Sequence, residues 1–136
     1  MRTFALSKMD EIRANRYTFQ KLLINGKCLL DDYENEIRTN PVYLNNFQHI
    51  GLYMQRFADG SPLTIKQFNE IKDKKLKTLK VRCFEFKKGD LRVYALSSSN
   101  NQIIILGGYK NSQIQDINQL ISIVSDYIST LKAQTQ

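Results

Sequence analysis

The run Leu79-Lys80-Val81-Arg82-Cys83-Phe84-Glu85-Phe86-Lys87-Lys88-Gly89-Asp90-Leu91-Arg92-Val93-Tyr94-Ala95-Leu96 decides the fold. Leu79, Val81 and Cys83 alternate with Lys80 and Arg82, the two-residue period of a strand. Phe84 and Phe86 then take the opposite parity. That switch predicts either a bulge or a strand buried on both faces at its far end. Lys88-Gly89-Asp90 is a hairpin signal, and Leu91, Val93 and Ala95 alternate with Arg92, Tyr94 and Leu96. Ser97-Ser98-Ser99-Asn100-Asn101 reads as a second turn. Ile103 to Leu106 is apolar on both parities, which suits a central strand covered on both sides, and Gly107-Gly108 ends it. Three consecutive strands in this order form an antiparallel meander.

Downstream, Ile114, Ile117, Leu120, Ile121, Val124, Ile128 and Leu131 line one face of a helix, with Asn111 or Ser112 as its cap. Upstream, the pattern reads mainly helical. Thr3 to Leu6 is a possible edge strand. Asp10 through Ile24, with Ile12, Phe19, Leu22 and Leu23, predicts an amphipathic helix broken by Asn25-Gly26. Leu29, Leu30, Tyr33 and Ile37 return on helical spacing. Pro41 starts another helix whose face runs Leu44, Phe47, Ile50, Met54 and Phe57, and Asp59-Gly60-Ser61-Pro62 turns the chain. The expected class is α+β. A small antiparallel sheet, the meander plus the possible N-terminal edge strand, packs with N-terminal helices and a C-terminal helix. Residues 1–136 form a single domain, with 1–75 mainly helical and 76–136 the meander plus final helix.

The chain has 136 residues, enough for one domain with its own core. A hydrophobic fraction of 42% argues against pervasive disorder. No apolar run approaches the length of a membrane span, and the first ten residues lack the apolar core of a signal peptide. No membrane association is expected, and the location expected is the cytoplasm of a bacterial or phage-type protein. Cys28 and Cys83 sit in apolar surroundings and read as buried free thiols, not a disulfide framework.

Charge is the strongest functional signal. Between Lys72 and Arg92, nine cations meet only Asp73, Glu85 and Asp90, which gives +6 of the chain's net +7. Such a field attracts polyanions, either nucleic acid or an acidic protein partner. A lysine-rich solvated face would look the same residue by residue, but the clustering favours a partner. No zinc-ligand spacing or phosphate-binding glycine loop occurs, so neither metal nor cofactor is expected. His49 lies within a predicted helix with no acid or nucleophile pattern beside it. The acidic run Asp31-Asp32-Tyr33-Glu34-Asn35-Glu36 reads as a solvated helix face. What remains is the meander, with Lys80, Arg82, Lys87, Lys88, Arg92, Tyr94, Tyr109 and Lys110 on its strands and turns. Cations beside aromatic rings suit single-stranded RNA, the cations holding phosphates while the rings stack on bases. Tyr94 and Tyr109 could equally well cover the rim of the core.

The stretch Phe84 to Tyr94, the apolar strand Ile103 to Leu106, and the following Gly107-Gly108-Tyr109-Lys110-Asn111-Ser112-Gln113 together resemble the RelE/ParE toxin superfamily, closest to its HigB-like and phage-derived branch. The likeness covers about the last 70 residues. It implies a toxin of a type II toxin–antitoxin system. RelE-type members are endoribonucleases (mRNA interferases) that cut mRNA on the ribosome without metal. The 2′-hydroxyl attacks the adjacent phosphate, and basic and tyrosine side chains replace histidines. ParE-type members inhibit DNA gyrase, and both types are neutralised by a cognate antitoxin protein. Carried over, the resemblance makes Arg92, Lys110 and Lys87 the catalytic set. Arg92 would bind phosphate and Lys110 would face the leaving 5′-oxygen or the phosphate. Lys80, Arg82, Lys88, Tyr94 and Tyr109 would contact RNA. Asn111 stands where RelE has an arginine, and near Ile117 there is no tyrosine early in the last helix. Those departures favour a rival, a RelE-fold binding module that does not cut.

Overall fold

The meander forms as its pattern requires, with β5 (Arg82–Lys88), β6 (Leu91–Ser98) and β7 (Asn101–Tyr109) pairing antiparallel in sequence order. Gly89 turns the first hairpin at φ 56°, a conformation that costs glycine little. The computed structural model describes residues 2–134. The parity switch in β5 resolves as burial on both faces, since Cys83, Phe84, Glu85 and Phe86 are all buried and the pairing with β6 runs unbroken from Arg82↔Ser97 to Lys88↔Leu91. The one register shift of the meander lies instead between β6 and β7, at Tyr94/Ala95.

Around this meander the sheet is larger than the sequence suggests. It holds seven strands, with β1 (Phe4–Lys8), β2 (Thr18–Ile24) and β4 (Phe68–Glu70) completing the order β1-β2-β7-β6-β5-β4, and the two-residue β3 (Lys27–Cys28) pairing with β2. It is mixed, not antiparallel, because β2 runs parallel to β7. The helix expected over Asp10–Ile24 is therefore a loop followed by a strand. Phe19 and Leu23 face one side of the sheet while Leu22 and Ile24 face the other. A strand apolar on both faces places hydrophobic residues at i, i+3 and i+4, the same signature as a helix.

Helices cover both faces. α1 (Leu29–Ile37) and α2 (Pro41–Ala58) pack on one, burying Tyr33, Ile37, Ile50 and Met54 against Phe19, Phe86, Val93 and Ile104. Asn40 caps α2 by accepting the Val42 and Tyr43 amides, and Pro41 opens its first turn. α3 (Lys74–Leu79) and α4 (Gln113–Gln134) lie on the other face. Leu76, Leu120, Ile123 and Val124 pack there on Leu22, Cys83, Leu96, Ile103 and Ile105. Between the two layers, Ile104 and Ile105 of β7 are both fully buried, one in each core. A short 3₁₀ turn, Lys110–Ser112, leads into α4, and Ser112 ties this turn together by accepting the Tyr109 amide and meeting Asp116 Oδ2 at 2.6 Å. No described helix is long and apolar enough to cross a membrane.

The two thiols sit on opposite faces of the sheet, Cys28 in the first core and Cys83 in the second. Burial pushes the Cys83 thiol up to about 12 and raises that of Cys28. Because the thiolate is the reactive form, neither should label quickly in the native protein. At pH 8 a chromogenic disulfide reagent is expected to modify both only as fast as the chain unfolds, and both at once in denaturant. Rapid stoichiometric labelling under native conditions would contradict the burial.

Candidate nucleic-acid interface

Hairpin register brings the central cations together. Lys87 pairs with Arg92 across β5 and β6, and Arg92 pairs in turn with Gly108 of β7. One row thus runs Lys87–Arg92–Gly108, and the row beside it holds Glu85 opposite Tyr94. By strand parity, Lys87, Arg92, Glu85 and Tyr94 face the α4 side. Lys88 has the opposite parity and faces the α2 side. Lys110 follows β7 at the same end of the sheet, its amide donating to the Asp90 carbonyl at 2.7 Å, and it is exposed.

Arg92 is the unusual member. It is only 8% exposed. Its Nη1 donates to the carbonyls of Gly89 at 2.7 Å and Leu91 at 2.8 Å, while its buried Nε has no partner. No ion pair involving Arg92 occurs among the described residues. Acids are nonetheless close. Glu85, 3% exposed, accepts from Gln113 Nε2 at 2.9 Å, and the Asp116 carboxylate lies over Gly108. A buried cation held by carbonyls alone is costly to keep. The end of the sheet under the first turn of α4 thus gathers two cations, Arg92 and the half-buried Lys87, and two carboxylates, Glu85 and Asp116, with the Arg92 guanidinium bonded to main-chain carbonyls and not to either acid.

Several expected contacts are placed differently. Tyr94 is fully buried, so its ring is not offered to a base, and its hydroxyl has no partner. Burial, with Glu85 and Asp116 nearby, raises its pKa far above the ordinary range. Tyr109 faces the α1/α2 side, packed 5.6 Å from Tyr33 and 5.7 Å from Tyr43 between ring centres, and is half-buried. Burial and the neighbouring Glu36 raise its pKa. Lys80 and Arg82 do not join the Lys87–Arg92 row. Arg82 begins β5, five residues and about 16 Å of strand from Lys87. Its guanidinium meets the Glu70 carboxylate with two 3.1 Å contacts and lies 5.1 Å from the Phe84 ring centre. That pairing, with help from Lys72, holds the Glu70 carboxyl below its usual range. The cations of the meander thus fall into two groups at opposite ends of β5, not one concavity.

Glu85, Gln113 and Asp116, which surround Arg92 and Tyr94, were not singled out from the sequence. The available signal was parity, since Glu85 shares the face of Cys83. Among the described residues no group of three or more His, Cys, Asp or Glu is placed to hold a metal ion. His49 bonds only back to the Asn45 carbonyl within α2. Comparison with known proteins returns no matching family model, no matching curated sequence and no matching solved structure.

Proposed function

We infer that this chain is a toxin of the type II toxin–antitoxin kind, a ribosome-dependent mRNA endonuclease whose RNA face is the end of the sheet around Lys87, Arg92 and Lys110. The observation that carries this reading is the buried, ion-pair-free Arg92 beside Lys87. A guanidinium that makes no salt bridge keeps donors for a bidentate phosphate contact, and the half-buried Lys87 and exposed Lys110 at the same end of the sheet supply further positive charge for an RNA backbone. In such a reaction the 2′-oxygen bonds to phosphorus and the 5′-oxygen leaves. Charge grows on the phosphoryl oxygens, where Arg92 and Lys87 would stabilise it, while the 2′-hydroxyl proton passes to solvent and Lys110 would give a proton to the departing 5′-oxygen. The resemblance of the last three strands to RelE-type toxins supports the assignment, and a cognate antitoxin is the partner that follows from it.

A second reading rests on the same burial. Arg92 lies under the first turn of α4 and Tyr94 is inaccessible, so an RelE-fold module that binds without cutting, or a gyrase inhibitor, is the alternative. A translation extract separates these. Wild-type protein should cut mRNA at codon boundaries, and Arg92→Met or Lys110→Ala should lower the rate by about 10²-fold or more. Arg92→Met also removes the hydrogen bonds to the Gly89 and Leu91 carbonyls, so urea denaturation accompanies the rate to separate lost folding from lost cutting. Intact mRNA with the wild-type protein would overturn the nuclease reading. Arrest of DNA supercoiling would then select the gyrase inhibitor, and salt-sensitive RNA retention the binding module.

A further inference from the structure

We propose that the chain holds a nucleic-acid phosphate backbone at a second surface, the cleft between β4, α3 and the start of β5, remote from the Lys87–Arg92 row. This open groove has a volume of about 600 Å³. Five cations line it, Lys72, Lys74, Lys77, Lys80 and Arg82, against only Glu70 and Asp73. Both carboxylates are already engaged. Glu70 holds Arg82 and Lys72, and Asp73 caps α3 by accepting the Lys75 amide at 2.8 Å. Lys74, Lys77 and Lys80 make no ion pair among the described residues, and all three are exposed. Lys80 is set at the rim by a left-handed backbone, φ 60°, that ends α3.

Three features select a phosphate backbone over an acidic peptide or a stacked base. The free cations are lysines, which meet phosphates as point charges. None of the lining residues is aromatic, so bases have nothing to stack on and recognition is sequence-independent. Strand addition of a peptide to the β4 edge is blunted too. The Phe68 amide is already given to the Thr64 carbonyl, and the Glu70 carbonyl already accepts from Asn69. The occupant is thus read by its charge spacing, as a folded RNA helix would be. This inference is independent of the cutting reaction, because the cleft and the Arg92 site share no residue.

The test uses the full chain and a short fluorescein-labelled RNA duplex of arbitrary sequence, followed by anisotropy over a salt series. The triple variant K74Q/K77Q/K80Q should bind about tenfold or more weakly at low salt. Its slope of log affinity against log salt should be shallower by about 2–3, as expected for three lost phosphate contacts. A control triple of exposed lysines elsewhere, K8Q/K27Q/K66Q, removes the same charge and should change affinity less than threefold or so. Equal losses in the two triples, or an unchanged slope in the cleft variant, would overturn the proposal. So would polyglutamate competing as well as unlabelled RNA at matched charge, which would assign the cleft to an acidic protein. A wild-type chain that leaves mRNA whole yet holds the duplex through these lysines keeps the cleft and discards the nuclease.

Discussion

Phe86→Ala is expected to destabilise the chain by about 3–5 kcal/mol and to lower its thermal midpoint by roughly 10–20 °C. Phe86 is fully buried on β5. Its ring sits 5.0 Å from Phe68, 6.0 Å from Phe57 and 6.0 Å from Phe19, measured between centres. Those three rings come from β4, α2 and β2, so one side chain ties the edge strand, the main covering helix and the parallel strand to the meander. Truncation removes the buried ring surface and leaves a hole that four separate elements would have to collapse into. Leu52 of α2 is the control, being 62% exposed, and Leu52→Ala should stay within about 0.5 kcal/mol of wild type. Urea denaturation checks both. A Phe86→Ala loss under about 1 kcal/mol would mean that this aromatic cluster does not join the layers.

The same cluster shows why part of the fold was legible and part was not. Phe86, Gly89 and Leu91 announce a hairpin through strict local chemistry, two-residue alternation and a turn residue. The meander could therefore be read from these residues alone. α2 was equally plain, since Asn40-Pro41 marks its start and Ile50, Met54 and Phe57 repeat on its period. Phe19 reads locally as part of a helix, yet lies on a strand, because its partners are remote. Whether Phe19, Leu22 and Leu23 make a helix stripe or a two-sided strand depends on what covers each face, and those covers, α1 and α2 on one side and α4 on the other, come later in the chain. β4 is only Phe68–Glu70, too short to display any period, and it exists because β5 offers it an edge.

The site divides along the same line. That Lys87 and Arg92 are neighbours follows from the hairpin register set by Gly89, and that Arg82 lies far from Lys87 follows from strand length. Both were within reach of the sequence. The burial of Arg92 and Tyr94 was not, because it is produced by the first turn of α4 settling over β6 with Gln113 on Glu85 and Asp116 over Gly108. A basic residue in an alternating strand looks exposed until the helix that covers it is placed. The feature that best distinguishes this surface, a guanidinium held by carbonyls alone, is thus a tertiary property of residues that locally resemble any amphipathic strand.

The glycine pair in β7 tests that tertiary placement directly, and Gly107→Ala and Gly108→Ala are expected to differ sharply. Both residues lie inside the strand, paired with Val93 and Arg92, although Gly-Gly read locally as its end. A methyl group on Gly107 would strike the Tyr33 ring from α1 near its Cγ, Cδ2 and Cε2. Tyr33 cannot yield, being 4% exposed and anchored by its hydroxyl, which donates to the Gly108 carbonyl at 2.7 Å. A methyl on Gly108 would instead meet the end of the Asp116 side chain on the opposite face. Overpacking against a fixed ring should cost about 2–3 kcal/mol, whereas a half-exposed carboxylate can swing aside for under about 1 kcal/mol. Denaturant midpoints compared at equal slope would give the two values, and equal costs would refute the reading. Tyr33→Leu, which removes the ring body, should recover about 1 kcal/mol or more of the Gly107→Ala loss. Tyr33→Phe, which removes only the hydroxyl, should recover none of it. Gly108→Ala, by contrast, should act on function. Moving Asp116 strains its contact with Ser112 and shifts the first turn of α4 over Arg92. RNA cutting or binding should therefore change in a variant whose stability is close to that of wild type.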